Sequence, residues 1–332
     1  EFGVQPDILV CRTEHSLTEA IRSKVARFCN VASNAVIESI DAETIYDVPL
    51  LMMEEQLDKI VLKKLALQIG DDPNLTTWKT FLKKLKNPKK SVKIGLVGKY
   101  VELKDSYKSI AEGLIHAGAQ NECSVEVDWI HSESLNAENT GEKLSSLNGI
   151  LVAPGFGERG VAGKLAAVKY ARESDIPFFG ICLGMQCAVV EFAQNVLGLS
   201  SSSREIDDKT QHAVIDLMEE QKKIENKGGT MRLGAYDCTL EEGTFAHKAY
   251  GSTQISERHR HRYEFNSAYK EDFEKAGMKA SGINPQTGLV EVIEIPNHPY
   301  FVGVQFHPEY KSTVANPHPL FIEFVKAAIE NR

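Results

Sequence analysis

The chain has 332 residues, 42% of them hydrophobic and 25% charged, with a formal net charge of −8. That length gives room for about two domains with sizeable cores, and the acidic balance excludes a general nucleic-acid surface. No apolar run approaches the roughly 20 residues of a membrane span, and the opening EFGVQPDILVC has neither the basic nor the apolar region of a signal peptide. Cysteines stand at 11, 29, 123, 182, 187 and 238 without a CxxC pair. This argues for a reduced, cytoplasmic chain and against a structural zinc site; no metal is expected.

Taken in order, the first unit predicts a strand at 8–11 and a helix at 17–28, with Ser16 as cap and Glu19 closing a capping box. The missing Met and the strand-like PDILVC predict that the chain starts inside a domain. A second strand is expected at 35–40, and the apolar spacing of 50–67 predicts one helix. KKLKNPKK at 83–90 carries five lysines and a proline, the composition of a solvated linker. The chain thus divides into residues 1–82, a linker at 83–91 and a second unit at 92–332.

In the second unit, strands expected at 92–98, 124–130, 149–153 and 177–181 alternate with helices that include 106–117 and 164–173. The alternation predicts an α/β fold, a mostly parallel sheet flanked by helices, with its ligand site at the C-terminal strand ends. The serine tract 200–203 reads as a loop. From 212 the pattern turns β-rich, with strands expected at 212–217, 234–240, 254–265, 289–295 and 301–306, a smaller antiparallel portion. A helix at 319–331 closes the chain.

Within GICLGMQ at 180–186, Cys182 falls between an expected strand and an expected helix, two residues from Gly180 and from Gly184. A nucleophile elbow needs small residues at those positions because the turn is tight. The helix start would aim N–H groups at the sulfur, and the Leu183 N–H would face a developing oxyanion. On these residues alone, a buried core thiol and a nucleophile both remain open. His307, at the end of the strand in QFHPE, supplies a base, and Glu309 can bond its second ring nitrogen and fix the tautomer. A turn histidine is the other reading. The Ala153-Pro154-Gly155-Phe156-Gly157 turn allows close backbone approach at Gly155 and is the candidate for a second oxyanion donor.

These motifs resemble the class I, triad-type glutamine amidotransferases, whose pattern is G-x-C-x-G-x-Q plus H-x-E. VGKYVELKDSYKSI, GFGERG, GGTMRLGAY, ERHRHRYEFN and PNHPYFVGVQFHPEY, in that order, resemble the CTP synthase family, as do QPDILVCR and FCNV near the front. The resemblance implies an amidotransferase domain preceded by part of an α/β P-loop-type synthetase (amidoligase) domain. Glutamine would be hydrolysed through a thioester on Cys182, with His307 as acid and base and Glu309 orienting it. Leu183 and Gly155 would form the oxyanion hole. Gln186, Glu205, Arg262 and Phe156 would bind glutamine, with Arg262 on its carboxylate and Glu205 on its ammonium. No cofactor is implied for that step. The full-length enzyme would use ATP and Mg2+ to aminate UTP to CTP, with GTP as activator and homo-oligomers or filaments as its assembly. Phe156 and Arg159 are the GTP-effector candidates, and Arg12, Lys24 and Asp41 match nucleotide-site positions, though no phosphate-loop motif occurs in the chain.

Departures from the family pattern raise two questions. Pro154 has no N–H to offer an oxyanion, and Arg204 places a cation beside Glu205. In ERHRHR, alternation puts Arg258, Arg260 and Arg262 on one face and the histidines on the other; the flanking positive charge opposes a metal there. A non-catalytic assembly module and another class I amidotransferase remain the alternative readings.

Overall fold

The computed structural model describes residues 3–217 and 231–331; residues 228–230, which open the GGTMRLGAY motif, lie outside the described residues. The chain forms two compact units, residues 1–82 and 83–332.

In the first unit, β1 (Leu9–Thr13) pairs in parallel with β2 (Val36–Ile40) across the helix α1 (Glu19–Phe28). Thr18 caps α1, rather than Ser16, by accepting the Ile21 N–H at 3.3 Å. Thr18 itself is extended, at φ −66° and ψ 154°, so the helix begins after it, and the Leu17 N–H outside the helix goes to the Glu38 carboxylate. The single helix expected over 50–67 is two, α2 (Val48–Glu54) and α3 (Leu57–Lys64), broken where Gln56 adopts φ 56°. The Trp78 indole donates to the Tyr46 carbonyl at 2.7 Å and anchors α4 (Thr76–Lys86). The expected lysine-rich linker is the last turn of α4 followed, from Lys90, by a strand. Lysines suit the negative end of a helix, and the Asn87 side chain satisfies the Lys83 carbonyl at 2.9 Å.

The second unit runs β3 (Lys90–Gly98), α5 (Lys108–Gln120), β4 (Cys123–His131), α6 (Thr140–Leu144), β5 (Gly149–Val152), α7 (Val161–Glu173), β6 (Phe178–Ile181) and α8 (Leu183–Asn195). Then follow β7 (Ser201–Ser203), β8 (His212–Leu217), β9 (Arg232–Leu240), α9 (Phe245–Tyr250), β10 (Gln254–His261), β11 (Tyr263–Phe265), α10 (Lys270–Ala276), β12 (Lys279–Ile283), β13 (Val290–Glu294), β14 (Phe301–Val304) and α11 (Pro319–Glu330). Nine strands form one sheet in the order β10-β9-β12-β13-β14-β6-β5-β3-β4. The last five are mutually parallel and the rest antiparallel. Both faces of the parallel part are covered, which is why β5, β6 and β14 read as unbroken apolar runs.

Two expectations give way here. The serine tract is the strand β7, parallel to β8, with Ser201 and Ser203 buried; short polar strands carry little β signal. The strand expected over 254–265 breaks at Arg262. β10 stays in the large sheet and β11 joins β8 and β7 in a second sheet.

Candidate active site

The parallel strands β5, β6 and β14 lie side by side, and the residues that follow each of them converge at one edge of the sheet. After β6, the chain turns through Cys182 (φ 52°, ψ −104°) into α8. A side chain other than glycine at positive φ is strained, and the turn is packed to its limit. A Cβ on Gly184 would stand 2.1 Å from the Val152 carbonyl oxygen, and one on Gly180 would stand 2.8 Å from the Gly184 backbone. The elbow read from the sequence is therefore present, with Cys182 at the N-terminus of a 13-residue helix. The first N–H groups of that helix, Leu183 included, lack partners within the helix and face the sulfur end of it.

After β14, His307 is pinned by its backbone N–H on the Arg258 carbonyl at 2.8 Å. Its Nδ1–H donates to Glu309 Oε1 at 2.8 Å, which leaves Nε2 as the reactive nitrogen. Nε2 is buried without another hydrogen-bond partner among the described residues. Burial works against a charged ring, but Cys182 and Glu309 outweigh it and raise the imidazole to about 11. The Cys182 side chain and the His307 ring are thus close enough to act on one another.

After β5 comes the 153–157 loop. Its Gly157 N–H donates to Glu205 Oε1 at 2.7 Å, so Glu205 meets the loop. Phe156 is 41% exposed and lies 5.9 Å from the Arg260 guanidinium. Arg262 is half-buried at the break between β10 and β11. Arg204 points to Asp216 at 3.7 Å and to the Asp208 carbonyl, so its charge is already met by other groups.

Gln186, expected to meet the substrate amide, is buried in the first turn of α8. Its Nε2 donates to the Tyr263 carbonyl at 2.9 Å and to Gln305 Oε1 at 3.2 Å, and the residue is 4% exposed. Its amide nitrogen serves the protein rather than an open cleft. Gln305, which the sequence reading missed, lies fully buried with Nε2 3.7 Å from the Cys182 sulfur. Its one signal was a polar residue within an apolar strand end. Arg159 bonds the Lys99 carbonyl at 3.4 Å, approaches Glu133 at 3.5 Å and lies over the Tyr100 ring.

Residues 102–327 match the family model of the class-I glutamine amidotransferases, and residues 1–67 match that of the CTP synthase N-terminus. A solved structure, the glutaminase domain of Trypanosoma brucei CTPS with bound acivicin, is 39% identical. It covers 72% of this chain and 94% of its own, with a TM-score of 0.68. The chain belongs to the CTP synthase family. Curated CTP synthases of Flavobacterium johnsoniae and Christiangramia forsetii are 62% and 63% identical over 99% and 100% of this chain. It spans only 62% and 61% of their lengths. In this CTP synthase-family chain, the elbow, the His307–Glu309 pair and the 153–157 loop all lie within the amidotransferase match.

Behind the CTP synthase-family site lies a buried polar cluster. His261 Nδ1 faces the Tyr263 carbonyl at 3.2 Å, and its Nε2 lies 2.8 Å from His259 Nδ1. Arg232 approaches Glu291 at 2.7 Å and Glu264 at 3.8 Å. His259, His261 and Glu291 are close enough to suggest cation ligands. The facing ring nitrogens, however, are spent on a hydrogen bond, and the Arg232 charge already occupies the carboxylate. This chemistry suits a neutral histidine pair better than a metal.

In the first unit, Arg12 and Asp41 are paired at 3.5 Å on the rim of a hollow of about 470 Å³, walled by Ile40, Ala42, Ile45 and Val48. Lys24 is exposed on α1 and does not line it.

Proposed function

We propose that residues 92–332 are a glutaminase domain, residues 1–82 the C-terminal part of a synthetase domain, and 83–91 the junction between them. The observation that carries the catalytic reading is the strained Cys182 elbow facing a His307 whose other nitrogen is held by Glu309. In this reading Cys182 gives its thiol proton to His307 Nε2 as its sulfur attacks the amide carbon of glutamine. The carbonyl electrons move onto oxygen, which the Leu183 and Gly155 N–H groups receive. His307 passes its Nε2 proton to the departing nitrogen, the C–N bond breaks, and ammonia and a thioester result. Nε2 then takes a proton from water, which attacks the thioester; the C–S bond breaks, the proton passes from Nε2 to the sulfur, and glutamate leaves. Arg262 and Glu205 hold the two charges of the substrate, and Phe156 flanks it. The Glu205 contact to the loop ties ammonium recognition to the oxyanion donors.

In a protein of the relatives' length, the ammonia would aminate UTP to CTP at the expense of ATP. The hollow beside Arg12 and Asp41 has the apolar walls a nucleotide base needs. Its Asp41 carboxylate is already paired with Arg12, so the hollow does not fit Mg2+ and no step is drawn through a metal there. GTP activation through Phe156 and Arg159, homo-oligomerisation and a cytoplasmic location belong to the same reading; among the described residues no helix is long and apolar enough to cross a membrane.

Glutamate release from glutamine tests the core of it. Cys182→Ala should drop the rate by about 1000-fold or more, and acivicin should form an adduct at Cys182 in the parent alone. A variant that retains the parent's rate would end the thioester reading.

A further inference from the structure

Lys164 on α7 is fully buried, with its ammonium 2.6 Å from the Ala153 carbonyl, and a charged side chain is costly to place there for packing alone. An ammonium has three donors, and Ala153 is the one acceptor it meets among the described residues. The Ala153 carbonyl begins the 153–157 loop. At the other end of that loop, the ammonium of Lys99, itself 7% exposed, bonds the Phe156 carbonyl. The same Phe156–Gly157 peptide gives its N–H to Glu205 at 2.7 Å. Gly155 lies between the two lysine-held carbonyls. Its missing side chain would stand 3.6 Å from Lys164 Nζ and 3.7 Å from Lys99 Cε.

Because Pro154 has no N–H, Gly155 is the first donor the loop can offer, and its direction depends on how the flanking peptides are turned. Charge-assisted bonds from two ammoniums set the Ala153–Pro154 peptide just before it and the Phe156–Gly157 peptide two beyond it, so the short span that carries the Gly155 N–H is held from both ends. We infer that Lys164 and Lys99 are positioning residues for the glutaminase step: they aim the Gly155 N–H at the oxyanion, and Lys164 adds a fixed positive charge beneath it. This rests on the glutaminase reading above. Burial pulls Lys164 down to about 8; the thiols of Cys187 and Cys182 act to raise it, and Lys99 acts to lower it further. The cation is therefore retained at neutral pH, where its field and its bond to Ala153 are both available.

Lys164→Met keeps the volume and removes the charge. A loop displaced by about 1 Å or a lost oxyanion donor costs roughly 100-fold in turnover. The expected result is thus a kcat for glutamate release lower by about 100-fold, a KM for glutamine within about threefold, and a thermal midpoint equal to the parent's or higher, since a buried ammonium is removed. A mere structural tether would instead lower the midpoint and leave kcat alone. Lys99→Met, on the more accessible side of the loop, should show the same split and decides the matter if Lys164→Met does not fold. A kcat within about threefold of the parent, or a loss residing wholly in KM, overturns the inference.

A second readout needs no turnover. Cys182 alkylation by iodoacetate relative to iodoacetamide reports the local field, and the ratio should fall by about fivefold in Lys164→Met. An unchanged ratio counts against Lys164 even where the glutaminase reading stands. A parent that releases no more glutamate than Cys182→Ala sinks the glutaminase reading and leaves the alkylation result to judge Lys164.

Discussion

Gln305 bonds in two directions, toward the Cys182 sulfur at 3.7 Å and from Gln186 at 3.2 Å, with no exposure to solvent. One buried amide therefore orients the Cys182 side chain and holds the residue expected to touch substrate. Replacing it with Met keeps the bulk but deletes both polar ends. The Gln186 amide would lose one of its two acceptors, and a buried donor left short of a partner costs about 1–3 kcal/mol. Gln305→Met should lower the urea midpoint accordingly and slow iodoacetamide alkylation of Cys182 severalfold, because the sulfur loses its donor. Unchanged alkylation with reduced stability would assign Gln305 to packing alone.

At the scale of elements, the elbow between β6 and α8 is the tightest joint in the site. A methyl on Gly184 would meet the Val152 carbonyl oxygen at 2.1 Å, and that oxygen belongs to backbone that cannot move aside. Gly184→Ala should push α8 off β5, cost more than about 3 kcal/mol and abolish acivicin labelling. Gly70→Ala, with nothing within 4 Å of its new methyl, is the control and should stay within about 0.5 kcal/mol. Urea unfolding followed by circular dichroism checks both. A Gly184→Ala chain as stable as the parent would mean that the elbow relaxes in a way the close contacts do not allow.

The elbow was legible because steric need leaves a trace, glycines two residues on each side of a cysteine. The His307–Glu309 pair was legible because both residues share one short motif, and the parallel sheet because its strands are buried on both faces. Other features leave no such trace. Gln56 and Arg262 break their elements without glycine or proline, and only tertiary contacts make those breaks favourable. Ser201–Ser203 pairs as a strand on backbone bonds alone. Lys164 falls in a helix where a lysine ordinarily reads as solvent-facing, and its burial depends on the Ala153 carbonyl, which comes from a different element.

At the scale of the whole molecule, the second unit carries its ionisable cluster inside, and this gives its stability a definite pH dependence. Burial raises Glu264 to about 8 and Glu291 to about 7, although Arg232 acts to lower both. Burial also lowers His261 to about 3, with Arg232 adding to it, and depresses His259 further still. A carboxyl raised above its ordinary 4.5 binds more protons folded than unfolded, so its contribution is lost as pH climbs from that value to the folded one. A histidine depressed below its ordinary 6.5 acts oppositely, and its effect is complete once the unfolded ring is neutral. Below 6.5 the two pairs therefore oppose each other. Between 6.5 and about 8 those two histidines no longer contribute, the carboxyls and the raised His307 act in the same direction, and stability should fall. Glu264 alone accounts for about 2 kcal/mol across that window, at 1.4 kcal/mol per unit. Thermal unfolding at pH 6.5 and 8.5 should show the midpoint dropping by several degrees in the parent. Glu264→Gln keeps a neutral, hydrogen-bonding side chain that cannot ionise, so its drop should be visibly smaller. Equal drops in the two proteins would mean that Glu264 is already ionised beside Arg232 at pH 6.5, and the cluster would then be an ordinary buried ion pair.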